Sequence, residues 1–72
     1  MKTFIDWITA QQHRNDITGD VAQDVLRDLN FPHNANEASQ ISYLQNLSVD
    51  SKVQEAIEET ITQFTKYKLE NT

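Results

Sequence analysis

Apolar residues in this chain return every three or four positions and never alternate for long. Phe4, Trp7 and Ile8 stand at i, i+3 and i+4, the spacing of one helix face. That pattern predicts a first helix from about Phe4 to His13, capped by Thr3, with Gln11 and Gln12 continuing its polar side. Val21, Ala22, Val25, Leu26 and Leu29 predict a second helix, starting at Ile17 or Gly19 and ending at Leu29, with Asp16 or Thr18 as its cap. Pro32 pushes Phe31 out of the helical region, and Asn30 is expected to close the helix in the left-handed conformation. Gly19 is the chain's only glycine. Inside a helix it costs about 1 kcal/mol against alanine, so it is expected in the first turn, where close backbone approach would justify it.

After the polar stretch His33-Asn34-Ala35, Asn36 is a good cap for a third helix from about Glu37 to Leu47. Ala38, Ile41, Leu44 and Leu47 line its apolar side. A fourth helix, from about Ser51 to Leu69, is the longest, with Ser48, Asp50 or Ser51 as its cap. Val53, Ala56, Ile57, Ile61, Phe64 and Tyr67 form its stripe, and Lys66 and Lys68 suit the negative end of its dipole. Phe4, Trp7, Phe31, Phe64 and Tyr67 are the expected aromatic core. The class is therefore all-α, a compact bundle of four main helices spanning residues 1–72 as one domain.

Size sharpens this reading. A chain of 72 residues buries only about 60% of its unfolded surface. With no cysteine, disulfides and cysteine-type zinc are excluded, and helix packing must carry the stability. The formal net charge of -5 disfavours nucleic acid and anionic membranes, both of which need a cationic footprint. After Lys2 the apolar run Phe4-Ile5 is broken by Asp6, unlike a signal peptide, and no stretch approaches the roughly 20 apolar residues of a membrane span. A soluble cytoplasmic protein is expected.

The most ordered polar feature is a row of aspartates at a strict spacing of four: Asp16, Asp20, Asp24 and Asp28. On one continuous helix they would form an acidic stripe about 18 Å long, at roughly 1.5 Å of rise per residue. Like charges at this spacing are mildly unfavourable, so the row either meets cations or is used. The plain reading is a solvated face, with Asp16 and Asp20 helped by the helix dipole and Arg27 pairing locally. The sharper reading is an electronegative surface for a basic protein partner, carried by Asp20, Asp24 and Asp28. Asp24 and Asp28 are the members with no evident structural role. A calcium loop would need oxygen ligands at alternate positions, which a spacing of four does not offer.

Other chemistry is sparse. His13 and His33 read as polar or capping residues, since there is no His-x-x-x-His pair to hold a metal. One glycine cannot build a phosphate-binding loop, and Ser39, Ser42, Ser48 and Ser51 lie at helix starts or exposed positions. No catalysis and no cofactor are expected. Nucleic-acid binding is the alternative from another class. Asn36, Gln40, Gln45 and Asn46 can touch base edges. Yet no lysine or arginine stands between Asp28 and Ser51, so the third helix lacks the phosphate contacts that supply most of the affinity. Self-association is a further possibility for so small a core.

The order Phe4-Ile5-Asp6-Trp7-Ile8, Arg14-Asn15-Asp16, Gly19-Asp20-Val21-Ala22, Asp24, Asp28 and Phe31-Pro32 resembles the YozE-like family of small Gram-positive bacterial proteins. Ile41-Ser42-Tyr43-Leu44 and the long last helix fall where that family has them. The resemblance is sharpest over residues 4–32. It implies a fold similar to sterile alpha motif (SAM) domains, compact helical bundles usually used for protein association. It carries no catalytic or binding residues over. The chain departs from the pattern in its last helix, where Phe64 and Tyr67 stand and the family often has a tryptophan. A non-catalytic protein-interaction module is the expected function.

Overall fold

Every helix of this protein starts on a side-chain cap. The computed structural model describes residues 3–47 and 50–71, and its elements are α1 (Phe4–Ala10), α2 (Ile17–Arg27), α3 (Glu37–Gln45) and α4 (Ser51–Glu70). The Thr3 hydroxyl accepts from the Asp6 N–H, Asp16 from Gly19, Asn36 from Ser39, and Asp50 from both Lys52 and Val53. Each bond satisfies a donor that the first helical turn leaves without a partner. Asp16 rather than Thr18 thus starts α2, and Asp50 starts α4; the alternative cap Ser48 lies outside the described residues. No strand occurs among the described residues.

Three helices end earlier than the apolar periodicity implies, and at each end polar side chains bond to the backbone groups there. Helix α1 stops at Ala10, not His13. Gln11 Nε2 donates to the Trp7 carbonyl and Gln12 Nε2 to that of Thr9, and residues 11–13 form turns. Helix α2 stops at Arg27, not Leu29. Asp28 turns extended (ψ 108°) and its carboxylate accepts from the Asn30 N–H at 2.9 Å. That turn leaves Leu29 97% exposed, so Leu29 is not part of the apolar face. No described residue has positive φ, so Asn30 is not left-handed. Helix α3 stops at Gln45 instead of Leu47, where Asn46 Nδ2 donates to the Ser42 carbonyl at 2.8 Å.

Helix α4 packs along α2 and against α3, while α1 sits on α2 and α3. The core is Phe4, Trp7, Ile8, Val21, Ala22, Val25, Phe31, Leu44, Ile57 and Phe64. The expected aromatics all take part, in two groups. Phe64 receives Phe4 edge-on at 5.0 Å and lies 5.3 Å from Trp7, with Tyr67 beside them. Phe31 meets Tyr43 edge-on at 5.5 Å and His33 at 5.2 Å. These edge-on contacts suit the ring quadrupoles.

Three polar residues are buried where periodicity alone assigns no core position. Gln40 donates to the carbonyls of Pro32 and His33, both at 3.1 Å, and so pins the α2–α3 connection to α3. Thr60 donates to the Ala56 carbonyl at 2.8 Å. Thr18 is fully buried and its hydroxyl has no partner among the described residues. At the far end, Lys68 pairs with Glu37 at 2.5 Å and lies over the Phe64 ring, joining the end of α4 to the start of α3.

Candidate functional site

The aspartate row does not form one stripe. Only Asp20 and Asp24 are helical; Asp16 and Asp28 are the two caps of α2 and both have extended backbone. The four side chains accordingly do different things.

Asp16 is tied into the α1–α2 corner. One carboxylate oxygen accepts from the Gly19 N–H at 3.0 Å, and the other takes the Arg14 guanidinium at 2.5 Å. Arg14 in turn donates to Gln63 of α4 at 2.8 Å. The Arg14 carbonyl lies against Gly19. A Cβ built there would stand 2.8 Å from the Arg14 carbonyl carbon and nearer still to its oxygen. Gly19 is therefore a close-approach glycine, and the order Arg14, Asp16, Gly19 is one local device: chain reversal, cap and contact. The Gly19 N–H and the Arg14 side chain hold the Asp16 pKa below its ordinary value.

Asp28 is likewise structural, contrary to the expectation that it lacks such a role. Its carboxylate accepts from the Tyr43 hydroxyl at 2.5 Å as well as from the Asn30 N–H, linking the end of α2 to α3. The Tyr43 bond, then the Asn30 bond, lower the Asp28 pKa, and the same carboxylate raises that of Tyr43. The sign follows from linkage. Asp28 binds its proton less readily folded than unfolded, so its contribution is present above the ordinary value of 3.8 and is lost as pH falls through the lower folded pKa. Tyr43 runs the other way: its contribution holds below 10.0 and is lost as pH rises through the higher folded value. Chemical unfolding across the acid range is expected to show a falling midpoint, and Asp28→Asn is expected to flatten that fall. An unchanged acid limb in the variant would remove Asp28 from this role.

Asp20 and Asp24 remain. The Asp20 carboxylate has no partner among the described residues. Asp24 meets Arg27 only loosely, at 3.7 Å, with both side chains about three-quarters exposed (76% and 72%). Such a pair contributes little. Neither aspartate supports the fold by any described bond.

Beside them runs an apolar crease between α2 and α4. At its α2 start, Ile17, Asp20, Val21, Lys52, Val53 and Ala56 surround a shallow depression of about 220 Å³. Asp24, Val21 and Val53 continue into a narrower slot of about 40 Å³, which Val25, Ile57, Leu44 and Leu47 close at the bottom and far side. Ile17, Leu47 and Val53 are 51%, 46% and 41% exposed, so apolar side chains line an open edge next to the Asp20 and Asp24 carboxylates. Asp28 stands at the far end of the slot. Leu47 and Val53 reach this edge through positions that periodicity alone assigns to the core.

His13 and His33 are exposed, and no group of three His, Asp or Glu side chains converges on a metal-sized site among the described residues. No helix among the described residues is long and apolar enough to cross a membrane. No curated protein and no solved structure matches the chain. The family model described as the YozE SAM-like fold matches residues 3–66, which takes in all of α1, α2 and α3 and most of α4. The N-terminal caps of all four helices and the Arg14–Asp16–Gly19 corner lie within that match, and the chain belongs to the YozE SAM-like family.

Proposed function

We propose that this chain is a non-catalytic cytoplasmic protein-interaction module whose contact surface is the Asp20–Asp24 edge of α2 with the crease beside it. One observation carries the reading: the two aspartates without a bond that the fold needs both border exposed apolar side chains. Charged rims around a desolvated apolar centre are the common anatomy of protein interfaces. Acidic rim residues speed the approach of a basic partner and reject acidic ones. The sharper form of the aspartate-row reading thus narrows from three residues to two, with Asp28 serving the fold and only flanking the surface.

Affinity capture from the native cell tests this. The parent chain is expected to recover a specific protein, and Asp20→Lys with Asp24→Lys is expected to lose it while the helical circular dichroism stays unchanged. Recovery of the same protein by the double variant overturns the reading.

A further inference from the structure

The crease has properties that select the chemistry and shape of its occupant. We infer that it receives an amphipathic helix bearing two cationic residues one turn apart; this inference rests on the interaction reading above. The walls are two helices, and no strand among the described residues offers an edge, so an extended peptide finds no row of backbone groups to pair with. A helix needs none, because its backbone bonds are internal.

The charge pattern fixes the register. Asp20 and Asp24 lie one turn apart on the α2 side, about 6 Å along the axis. Lysines or arginines at i and i+4 of a helix lying along α2 meet both at once. Lys52 on the α4 side repels cations from the other wall. The occupant's basic face therefore turns to α2, and its apolar residues turn down over Val21, Val53 and Leu47. Both requirements, a basic flank and an apolar stripe beside it, belong to one amphipathic helix.

The test uses the whole chain, isotopically labelled, and a synthetic Leu/Lys peptide of about four helical turns with the two residue types on separate faces. The control is a scrambled peptide of the same composition. Saturable amide shifts are expected over residues 17–24 and 52–57. Binding should weaken at least about tenfold with the scrambled peptide, with Val53→Ser, and with Asp20→Lys plus Asp24→Lys, and should fall as salt rises. Val53 is 41% exposed, so Val53→Ser is expected to leave the spectrum otherwise native. Equal affinity for the scrambled peptide, or shifts spread along the Glu55, Glu58 and Glu59 side of α4, would overturn the inference as mere cation attraction. Concentration-dependent shifts at the same amides without peptide would overturn it in favour of a second copy of the chain. A failed peptide titration alongside a native partner that the double variant still loses removes only the amphipathic helix; a native partner that the double variant retains removes the interface itself.

Discussion

Phe64→Ala is expected to lower stability by about 3–5 kcal/mol, the range for removing a buried aromatic ring. The ring is fully buried and is the meeting point of Phe4, Trp7 and Tyr67. Its face also lies under the Lys68 ammonium, 5.5 Å from the ring centroid. Truncation there removes the ring contacts that Phe4 and Trp7 of α1 make with Phe64 of α4, and leaves the more distant Trp7–Tyr67 contact at 6.3 Å to join the two helices. A domain of this length has roughly 4–11 kcal/mol to lose at about 0.05–0.15 kcal/mol per residue. The thermal midpoint should fall by more than about 12 °C, at 4 °C or more per kcal/mol for a domain of this size. Tyr67→Ala removes a half-buried ring on the rim of the same cluster and should cost less. A Phe64→Ala midpoint within a few degrees of the parent would show that the aromatic cluster is not what joins α1 to α4.

Gly19→Ala is the second large effect, and here the sign is informative. Propensity alone predicts stabilisation by about 1 kcal/mol, since alanine replaces glycine within a helix. Gly19 has no positive φ to protect. The close approach of the Arg14 backbone opposes this, because a Cβ at position 19 collides with a carbonyl and not with a movable side-chain end. Overpacking of this kind costs typically 1–3 kcal/mol, and a backbone obstacle belongs at the upper end. A net loss of about 2 kcal/mol is expected, read as a lower denaturation midpoint with an unchanged slope. A gain in stability would contradict the proposed corner.

Much of the fold was legible in the residues. The four helices, the caps Thr3 and Asn36 and the aromatic core follow from spacing and from cap chemistry, which act locally. So does the placement of Gly19 in the first turn of α2. Helix ends were less legible, because they depend on side chains reaching back to carbonyls, as Gln11, Gln12 and Asn46 do. The Asp28 turn belongs to the same class: nothing in a spacing of four distinguishes a helical aspartate from one that leaves the helix. Its bond to Tyr43 joins residues 15 positions apart, beyond the reach of any local pattern. The buried Gln40 was hidden for a similar reason, since its partners are loop carbonyls.

The acidic edge was half legible. Periodicity marked the row and could not divide it. The division came from tertiary partners: Gly19, Arg14, Asn30 and Tyr43 claim the outer two carboxylates and leave the inner two. The apolar side of the site was not legible at all. Leu47 and Val53 carry the core's spacing, and only the early end of α3 and the position of α4 turn them outward.

Thermal unfolding at neutral pH separates the inner aspartates from the outer ones. The pair Asp20→Lys with Asp24→Lys is predicted to stay within about 1 kcal/mol of the parent, because it alters only dipole and surface-pair effects. Asp28→Ala, which removes the Tyr43 and Asn30 bonds together, is predicted to unfold well below both. A double variant that unfolds more easily than Asp28→Ala would show that the inner aspartates serve the fold and are not free for a partner.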